Sequence, residues 1–337
     1  MGFLEILPAL AAFGVTVLLV PLWRRFLVAR GMVDLPDDRR SHRQPTPRGG
    51  GVVMVLGLVV AVVLALPFYS QAIGFGALAL AAGTIGWLDD RKDIGVGIRL
   101  TAQALIALAM LAWLGPVASV GLAGMVLDAP VLWSVLAVVA VVWLINLHNF
   151  MDGSDGLAAG QGVWAGLAFC ALFFQAGASF ESLAALCLAS ACAGFLVWNR
   201  PPAALFMGDS GSILIGACVA FLAFAGAAAG SVSIWASLIV CGVFVVDSTL
   251  TLGQRLARGD RWYTPHRQHA YQRLIAGGWT HRWVLLAYAL VNLLVAMPLL
   301  LAAICWPELD FWLALGYMLV LAGGWWTAQR AGNGEQD

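Results

Sequence analysis

Long apolar runs alternate with short polar stretches along almost the whole chain. A membrane-spanning helix needs about 20 apolar residues. Eleven runs of roughly this kind lie near residues 3–23, 50–69, 71–88, 98–115, 130–148, 157–176, 181–198, 211–229, 233–252, 283–304 and 309–327. Runs this long and this uniformly apolar exclude barrel strands, in which polar and apolar residues alternate. The pattern predicts an all-α, polytopic membrane protein with a single transmembrane domain over residues 1–337.

The composition agrees with this prediction. The 337 residues are 61% hydrophobic and 11% charged, whereas soluble domains carry about 25% charged residues. The formal net charge is zero, so no nucleic-acid partner is indicated. The six cysteines lie in or beside apolar runs without metal-ligand spacing, which favours a packing role. No basic segment precedes the first run, so we interpret that run as a retained span.

The basic residues predict how the chain is oriented. If all eleven runs cross the membrane, all 18 Lys and Arg residues fall on one side, and the positive-inside rule makes that side cytoplasmic. The N-terminus is then periplasmic and the C-terminus cytoplasmic. The cytoplasmic connections are residues 24–49, 89–97, 149–156, 199–210 and 253–282. Every chemically suggestive motif lies on one of these five, which predicts one active site facing the cytoplasm.

The motif NLHNFMDGSDGL lies between two spans, at residues 146–157. Asn146, Asn149, Asp152 and Asp155 follow one another at three-residue spacing, which predicts that they share one helix face. Polar groups at membrane depth are costly and usually mark a functional site. The alternative is a hydrated turn between two helices, because Asp-Gly is common in turns.

The first connection ends in SHRQPTPRGGG, residues 41–51. Backbone N–H groups of the three final glycines, with His42, Arg43 and Arg48 beside them, are suited to hold a phosphate. A basic loop followed by a glycine-rich helix start is the alternative interpretation.

Two further motifs carry carboxylates. In WLDDRKD, Asp89 and Asp90 are adjacent at the end of a span; one could steer a metal ion while the other accepts a proton. In FMGDSGS, Asp209 precedes a span and is a candidate metal ligand. In both motifs the alternative is a helix end that is capped or solvated.

The fifth connection carries PHRQHAYQRL, with His266, Arg267 and His269. Imidazole and guanidinium groups together suit a diphosphate, because Arg binds phosphate oxygens in a bidentate fork. A basic loop near anionic lipid is the alternative. Asp247 lies inside the preceding apolar run, either near its cytoplasmic end or paired inside the bundle.

Carboxylates combined with arginines and glycine turns suit Mg²⁺ and phosphates together. The sequence has no P-loop and no GxGxxG motif. Phosphate chemistry in a protein that is nearly all membrane implies a lipid substrate. A transporter with intramembrane acids is the competing class, but it predicts repeated, interrupted spans, and the chain has no such symmetry. A structural scaffold would not need carboxylates on three separate loops.

The motifs TPRGGG, LDD, NFMDGSDGL and FMGDSGS, in this order, resemble the polyprenyl-phosphate N-acetylhexosamine-1-phosphate transferase family over residues 34–270. The resemblance implies that a UDP-N-acetylhexosamine and undecaprenyl phosphate give undecaprenyl-diphospho-sugar and UMP. It also implies Mg²⁺ as the cofactor, with Mn²⁺ as a substitute. The protein is expected to cross the bacterial inner membrane several times, and a homodimer is compatible with the resemblance.

The resemblance also implies roles for residues. Asp89 and Asp90 match the paired aspartates, of which one is a base for the lipid phosphate or, in a second proposal, a nucleophile. Asp209 matches the metal-binding aspartate, with Asn149 beside it. The remaining implied residues are Asp152 and Asp155 in catalysis, and Asn146, Asn149, Arg48, His266, Arg267 and His269 in substrate binding.

The fifth connection departs from one branch of the family. The peptidoglycan enzyme, phospho-MurNAc-pentapeptide transferase, has consecutive histidines where this chain has HRQHAYQ. The segment PHRQHAYQRL, which follows VFVVDSTLTL, instead resembles the O-antigen-initiating branch, which uses UDP-GlcNAc, UDP-FucNAc or a related sugar. We therefore expect the first membrane step of an envelope polysaccharide, with the peptidoglycan reaction as the alternative.

Overall fold

The computed structural model describes residues 3–34, 45–261, 264 and 266–331. Helices dominate this part of the chain. They are α1 (Phe3–Ala29), α2 (Val52–Ala65), α3 (Ala72–Lys92), α4 (Val96–Leu114), α5 (Pro130–Phe150), α6 (Leu157–Gln175), α7 (Ser179–Asn199), α8 (Asp209–Ala229), α9 (Ile234–Ala257), α10 (Ala270–Ala276), α11 (His281–Val291), α12 (Met297–Cys305) and α13 (Asp310–Ala331). A π-helical segment, Asn292–Ala296, joins α11 to α12.

The described helices confirm the all-α membrane fold. Ten of them, with α11 and α12 taken together, are long and apolar enough to cross a membrane. The predicted run 50–69 contains the shorter α2, whose 14 residues extend about 21 Å at 1.5 Å per residue. Each of the eleven predicted runs therefore corresponds to a helix, and ten of these helices reach spanning length.

The sequence analysis missed the shorter elements. β1 (Val33–Asp34) pairs with β2 (Thr46–Pro47), and β3 (Ser119–Leu122) forms an antiparallel hairpin with β4 (Met125–Asp128) between α4 and α5. The seven-residue α10 lies inside the fifth connection, where the pattern predicted only a loop. These elements are too short to give a periodic signal of their own.

Helix α8 forms the centre of the bundle, and α2, α3, α5, α6, α7 and α9 all pack against it. Its side chains are buried from Ser210 almost to its end. Glycines bring two neighbours very close to its first turn: a Cβ added to Gly51 would collide with the backbone of Gly211, and one added to Gly86 with the carbonyl of Asp209. Small residues permit such close contact between spanning helices, so the acidic start of α8 is held by backbone contact.

We expect Gly86→Ala to disturb the start of α8, because the added methyl group meets backbone that cannot rotate away. Overpacking of this kind costs about 1–3 kcal/mol, and it should lower the thermal unfolding midpoint in detergent. Gly14→Ala in α1 is the matched control, because a Cβ there meets no atom within 4 Å. Equal unfolding midpoints for the two variants would contradict the close contact.

Candidate active site

A cavity of about 470 Å³ opens at the end of the bundle where α5 ends and α8 begins. Segments from four of the five predicted connections line it, and the paired aspartates of the remaining connection lie directly behind Asp209. The polar lining comprises Asp34, Arg48, Asn149, Asp152, Ser154, Asp155, Asn199, Asp209, Arg267 and Gln272. The fold therefore gathers most of the predicted site residues around one space.

The TPRGGG segment docks against the fourth connection by backbone hydrogen bonds. Gly50 donates to the carbonyl of Phe206 at 2.9 Å, and Gly51 donates to that of Met207 at 2.8 Å. These two N–H groups are therefore occupied and are not available to the phosphate that the sequence analysis assigned to them. His42 and Arg43 lie outside the described residues. The segment contributes the side chain of Arg48 to the cavity instead.

The buried carboxylate of Asp90 caps helix α8. It accepts the backbone N–H groups of Asp209 at 2.8 Å and Ser210 at 3.0 Å, and Nε of Arg48 lies 3.3 Å from it. A helix start favours a carboxylate, because its first N–H groups have no partner within the helix. The cap thus comes from α3, and Asp209 itself is not needed as one.

Asp89 has one engaged oxygen and one unengaged oxygen. Its Oδ2 accepts Nη1 of Arg99 at 2.6 Å, whereas its buried Oδ1 accepts no hydrogen bond from the described part of the chain. The side chain adjoins that of Asp209. Arg99 was missed by the sequence analysis. A signal existed, because a cation near the start of α4 opposes the helix dipole and needs a compensating acid.

Asp209 connects the groups from several helices. Its Oδ1 accepts Nη2 of Arg48 at 3.2 Å and the amide nitrogen of Asn149 at 2.9 Å. Asn149 also donates to Ser212 at 3.0 Å, so only its carbonyl oxygen remains for a cation. The pKa of Arg48 is raised: burial opposes its charge, but the carboxylates of Asp209 and Asp90 outweigh burial.

Asp152 lies in the turn after α5 and lines the cavity. Because α5 ends at Phe150, the prediction of one helix face holds only for Asn146 and Asn149 and is wrong for Asp152 and Asp155. Burial, followed by the negative charge of Asp209, raises the pKa of Asp152 well above its usual value. No described residue donates a hydrogen bond to its carboxylate.

Asp155 lines the cavity but is held by structural contacts. Its Oδ2 accepts the backbone N–H of Ala203 at 3.0 Å. Its own N–H donates to the ring of His281 at 3.1 Å. These contacts join the turn after α5 to the fourth connection and to the start of α11.

Asn146 lies one turn before Asn149 but does not line the cavity. Its amide nitrogen donates to Gln103 of α4 at 2.6 Å and to the carbonyl of Val142 at 2.8 Å. In this arrangement it joins α5 to α4.

The fifth connection contributes Arg267 to the cavity, but neither His266 nor His269. His269 is buried, with Nδ1 3.5 Å from Oδ1 of Asp247, so Asp247 is the acid paired inside the bundle. Burial, followed by the charges of His269 and Arg255, lowers the pKa of His266 to about 4. With this pKa, His266 is neutral at physiological pH.

The acidic oxygens suit a divalent cation, although the described residues form no cluster of three or more metal-ligating side chains. Asp89, Asp90, Asp152 and Asp209 outnumber the cations in direct contact with them, Arg48 and Arg99. The buried Oδ1 of Asp89 also lacks a donor. Carboxylate oxygens are the ligands that Mg²⁺ prefers, so the donor set fits this ion.

The fold and cavity together define an integral membrane protein with a cavity lined by carboxylates and arginines at one end of its bundle. Residues 72–227 match the sequence model of glycosyl transferase family 4. A Bacillus subtilis protein, named as a probable undecaprenyl-phosphate N-acetylglucosaminyl 1-phosphate transferase, is 30% identical over 91% of this chain and 86% of its own length. The chain belongs to glycosyl transferase family 4, which confirms the family predicted from its motifs.

Two other relatives carry different names. A decaprenyl-phosphate N-acetylglucosaminephosphotransferase of Mycolicibacterium smegmatis is 33% identical over 81% of this chain and 76% of its own length. A phospho-N-acetylmuramoyl-pentapeptide-transferase of Picosynechococcus is 33% identical over 82% and 79%, respectively. This chain is accordingly a transferase, and its relatives carry the names of both branches considered above.

The raised pKa of Asp152 predicts how stability depends on pH in the metal-free protein. The folded state holds the proton of Asp152 more tightly than the unfolded chain, in which the pKa of an aspartate is about 3.9. The contribution of Asp152 to the free energy of unfolding should therefore fall as pH rises from that value to the raised pKa. We expect Asp152→Asn to flatten this decline in EDTA and to raise the unfolding midpoint at neutral pH.

The matched control is Asp128→Asn, at an exposed residue on the hairpin at the opposite end of α5. Unfolding midpoints measured between pH 4 and 8 should coincide for this variant and the wild type. An Asp152→Asn profile parallel to that of the wild type would show that Asp152 is not destabilised by its surroundings.

Proposed function

We propose that the protein transfers an N-acetylhexosamine 1-phosphate from a UDP-sugar to undecaprenyl phosphate, giving undecaprenyl-diphospho-sugar and UMP. The observation that carries the proposal is the convergence of Asp152 and Asp209 with Arg48 and Arg267 around one cavity. Guanidinium groups bind phosphate oxygens, and the carboxylates suit a metal ion. Relatives named for the same reaction class support the assignment.

The roles of the residues follow from which oxygens are free. Asp90 is engaged by two backbone N–H groups and by Arg48, whereas Oδ1 of Asp89 has no donor. We therefore assign to Asp89 the task of keeping the lipid phosphate deprotonated. A phosphate oxygen of the lipid then attacks the β-phosphorus of the UDP-sugar. One P–O bond forms, the P–O bond to UMP breaks, and UMP leaves with that bonding pair.

Arg48 and Arg267 are placed to bind the diphosphate as charge moves to the leaving group. A bound Mg²⁺, with Mn²⁺ as a substitute, would supply charge neutralisation on the diphosphate. Asp209, Asp152 and the carbonyl oxygen of Asn149 are the candidates to hold it.

The location of the reaction follows from the basic residues. We infer that the cavity faces the cytoplasm of a bacterial inner membrane. If each predicted run crosses once, the sequence assigns all 18 Lys and Arg residues to one side of the membrane, and the residues that line the cavity come from connections on that side. In this orientation the N-terminus is periplasmic. The donor enters from water, the lipid phosphate enters from the bilayer, and a homodimer is compatible with this arrangement.

The proposal also specifies the donor sugar. Two of the relatives described above are named for N-acetylglucosamine, and the segment HRQHAYQ lacks consecutive histidines. We therefore propose UDP-GlcNAc or a related UDP-N-acetylhexosamine, used in the first membrane step of O-antigen or another envelope polysaccharide. UDP-MurNAc-pentapeptide is the second candidate, because a relative is named for that substrate.

The test is transfer of labelled sugar phosphate to undecaprenyl phosphate in detergent, from a panel of UDP-N-acetylhexosamines and UDP-MurNAc-pentapeptide. We expect a lipid product and UMP release with Mg²⁺, and neither with EDTA. Asp209→Asn should lose most of the activity while the exposed control Asp128→Asn retains it. No product from any donor with folded wild-type protein would contradict the proposal, and the best donor identifies the branch.

We expect Asp89→Asn and Asp90→Asn to fail in different ways. Loss of a positioned general base typically costs 10²–10⁴-fold in rate, so Asp89→Asn should lose turnover. Its unfolding midpoint should fall less than that of Asp90→Asn, because the amide oxygen can still accept the single hydrogen bond from Arg99. Asp90→Asn leaves a backbone donor of α8 and Arg48 poorly paired, which should cost about 1–3 kcal/mol of stability. Unfolding midpoints and initial rates measure both effects. A covalent sugar-phosphate adduct trapped on either aspartate would contradict direct attack.

A further inference from the structure

Asp247 is a buried carboxylate inside α9, a helix that is long and apolar enough to cross a membrane. Its Oδ1 accepts the backbone N–H of Ala270 at 2.8 Å, and its Oδ2 accepts the hydroxyl of Tyr288 at 3.0 Å. The ring of His269 lies beside it. A carboxylate in apolar surroundings is costly unless partners of this kind satisfy it. These contacts fix the first residue of α10 between α9 and α11.

Tyr271, the residue after Ala270, connects α10 to the turn that contains Asp152. Its hydroxyl donates to the carbonyl of Phe150, the last residue of α5, at 3.1 Å. It also lies so close to Gly153 that an added Cβ would collide with it. Burial raises the pKa of Tyr271, so its hydroxyl keeps the proton that it donates. Tyr271 therefore braces the turn that contains Asp152.

The other side of α10 forms part of the cavity wall. Gln272, Ile275 and Ala276 line the cavity, and Arg267 lies just before the helix. A seven-residue helix has little stability of its own. Its position must therefore come from tertiary contacts, which include packing against α13 and α11 and the hydrogen bonds of Asp247 and Tyr271.

We propose that Asp247 is a positioning residue for the donor substrate. It fixes the start of α10 and thereby sets one wall of the cavity and, through Tyr271, the turn that carries Asp152. Neither Asp247 nor His269 lines the cavity, and we assign His269 to this anchor because its ring lies beside Asp247. The inference rests on the proposed function, because it assigns the cavity to a nucleotide sugar.

The first test is steady-state kinetics of Tyr271→Phe and Asp247→Asn. Loss of one hydrogen bond is worth about 1 kcal/mol, so KM for the UDP-sugar should rise about fivefold in Tyr271→Phe, and more in Asp247→Asn. KM for undecaprenyl phosphate should stay within about twofold, because α10 faces the donor cavity. If Asp247→Asn does not fold, Tyr271→Phe carries the test, because it removes a single oxygen atom.

Tyr317→Phe is the matched control. Tyr317 lies in α13 and is buried against Gly242 of α9, the helix that carries Asp247. Its hydroxyl has no hydrogen-bond partner among the described residues. We expect wild-type KM values for both substrates. A purely structural role for Asp247 predicts a lower unfolding midpoint and a lower kcat with both KM values unchanged, and that result would overturn the proposal.

A second test does not depend on turnover. Hydrogen exchange of residues 151–156 should accelerate about fivefold in Tyr271→Phe, as expected for a local opening eased by about 1 kcal/mol. Exchange in the hairpin 119–128 should not change. Wild-type protein that transfers no sugar would contradict the proposed function, while the exchange data would still decide whether the brace exists. Wild-type exchange at residues 151–156 in both variants would overturn the inference.

Discussion

The carboxylate of Asp90 at the start of α8 is the contact on which the rest of the site depends. Most helices are capped by their own sequence, but here the capping group comes from α3. It fixes the first turn of the central helix, where Asp209 lies, and it brings Arg48 into the same contact. From Asp209 the connection continues to Asn149 at the end of α5. Four segments far apart in sequence are thereby joined through the carboxylates of Asp90 and Asp209.

The acidic residues of the site divide into two groups by what their oxygens contact. Asp90, Asp155 and Asp247 accept backbone N–H groups and hold helices or loops in place. Oδ1 of Asp89 is buried without a donor, and the carboxylate of Asp152, which lines the cavity, accepts no hydrogen bond from the described residues. Since most polar groups are satisfied on burial, these are the oxygens that the proposed function assigns to substrate and metal. Under that proposal, aspartates serve both the architecture and the chemistry of the site.

Much of the fold could be predicted from sequence, because long apolar runs have one structural solution in a bilayer. The candidate acids could also be found, since Asp89 and Asp209 interrupt or border such runs. The individual roles of these acids could not be predicted from the sequence. The partners of Asp90 are 119 and 120 residues away, and no local pattern encodes that distance. The anchoring of His269 by Asp247 was similarly hidden, because a histidine beside arginines resembles a phosphate ligand until its buried partner is located.

The long separation between Asp90 and its partners has a consequence for biosynthesis. When α3 leaves the ribosome, α8 has not yet been made, so the paired aspartates enter the membrane region without the N–H groups that later stabilise Asp90. An aspartate at the centre of a spanning helix costs about 2.5–3.5 kcal/mol during insertion; at the helix end, these two can remain in water until α8 arrives. The cavity is therefore assembled late, and a nascent chain that ends before α8 contains the paired aspartates but no site.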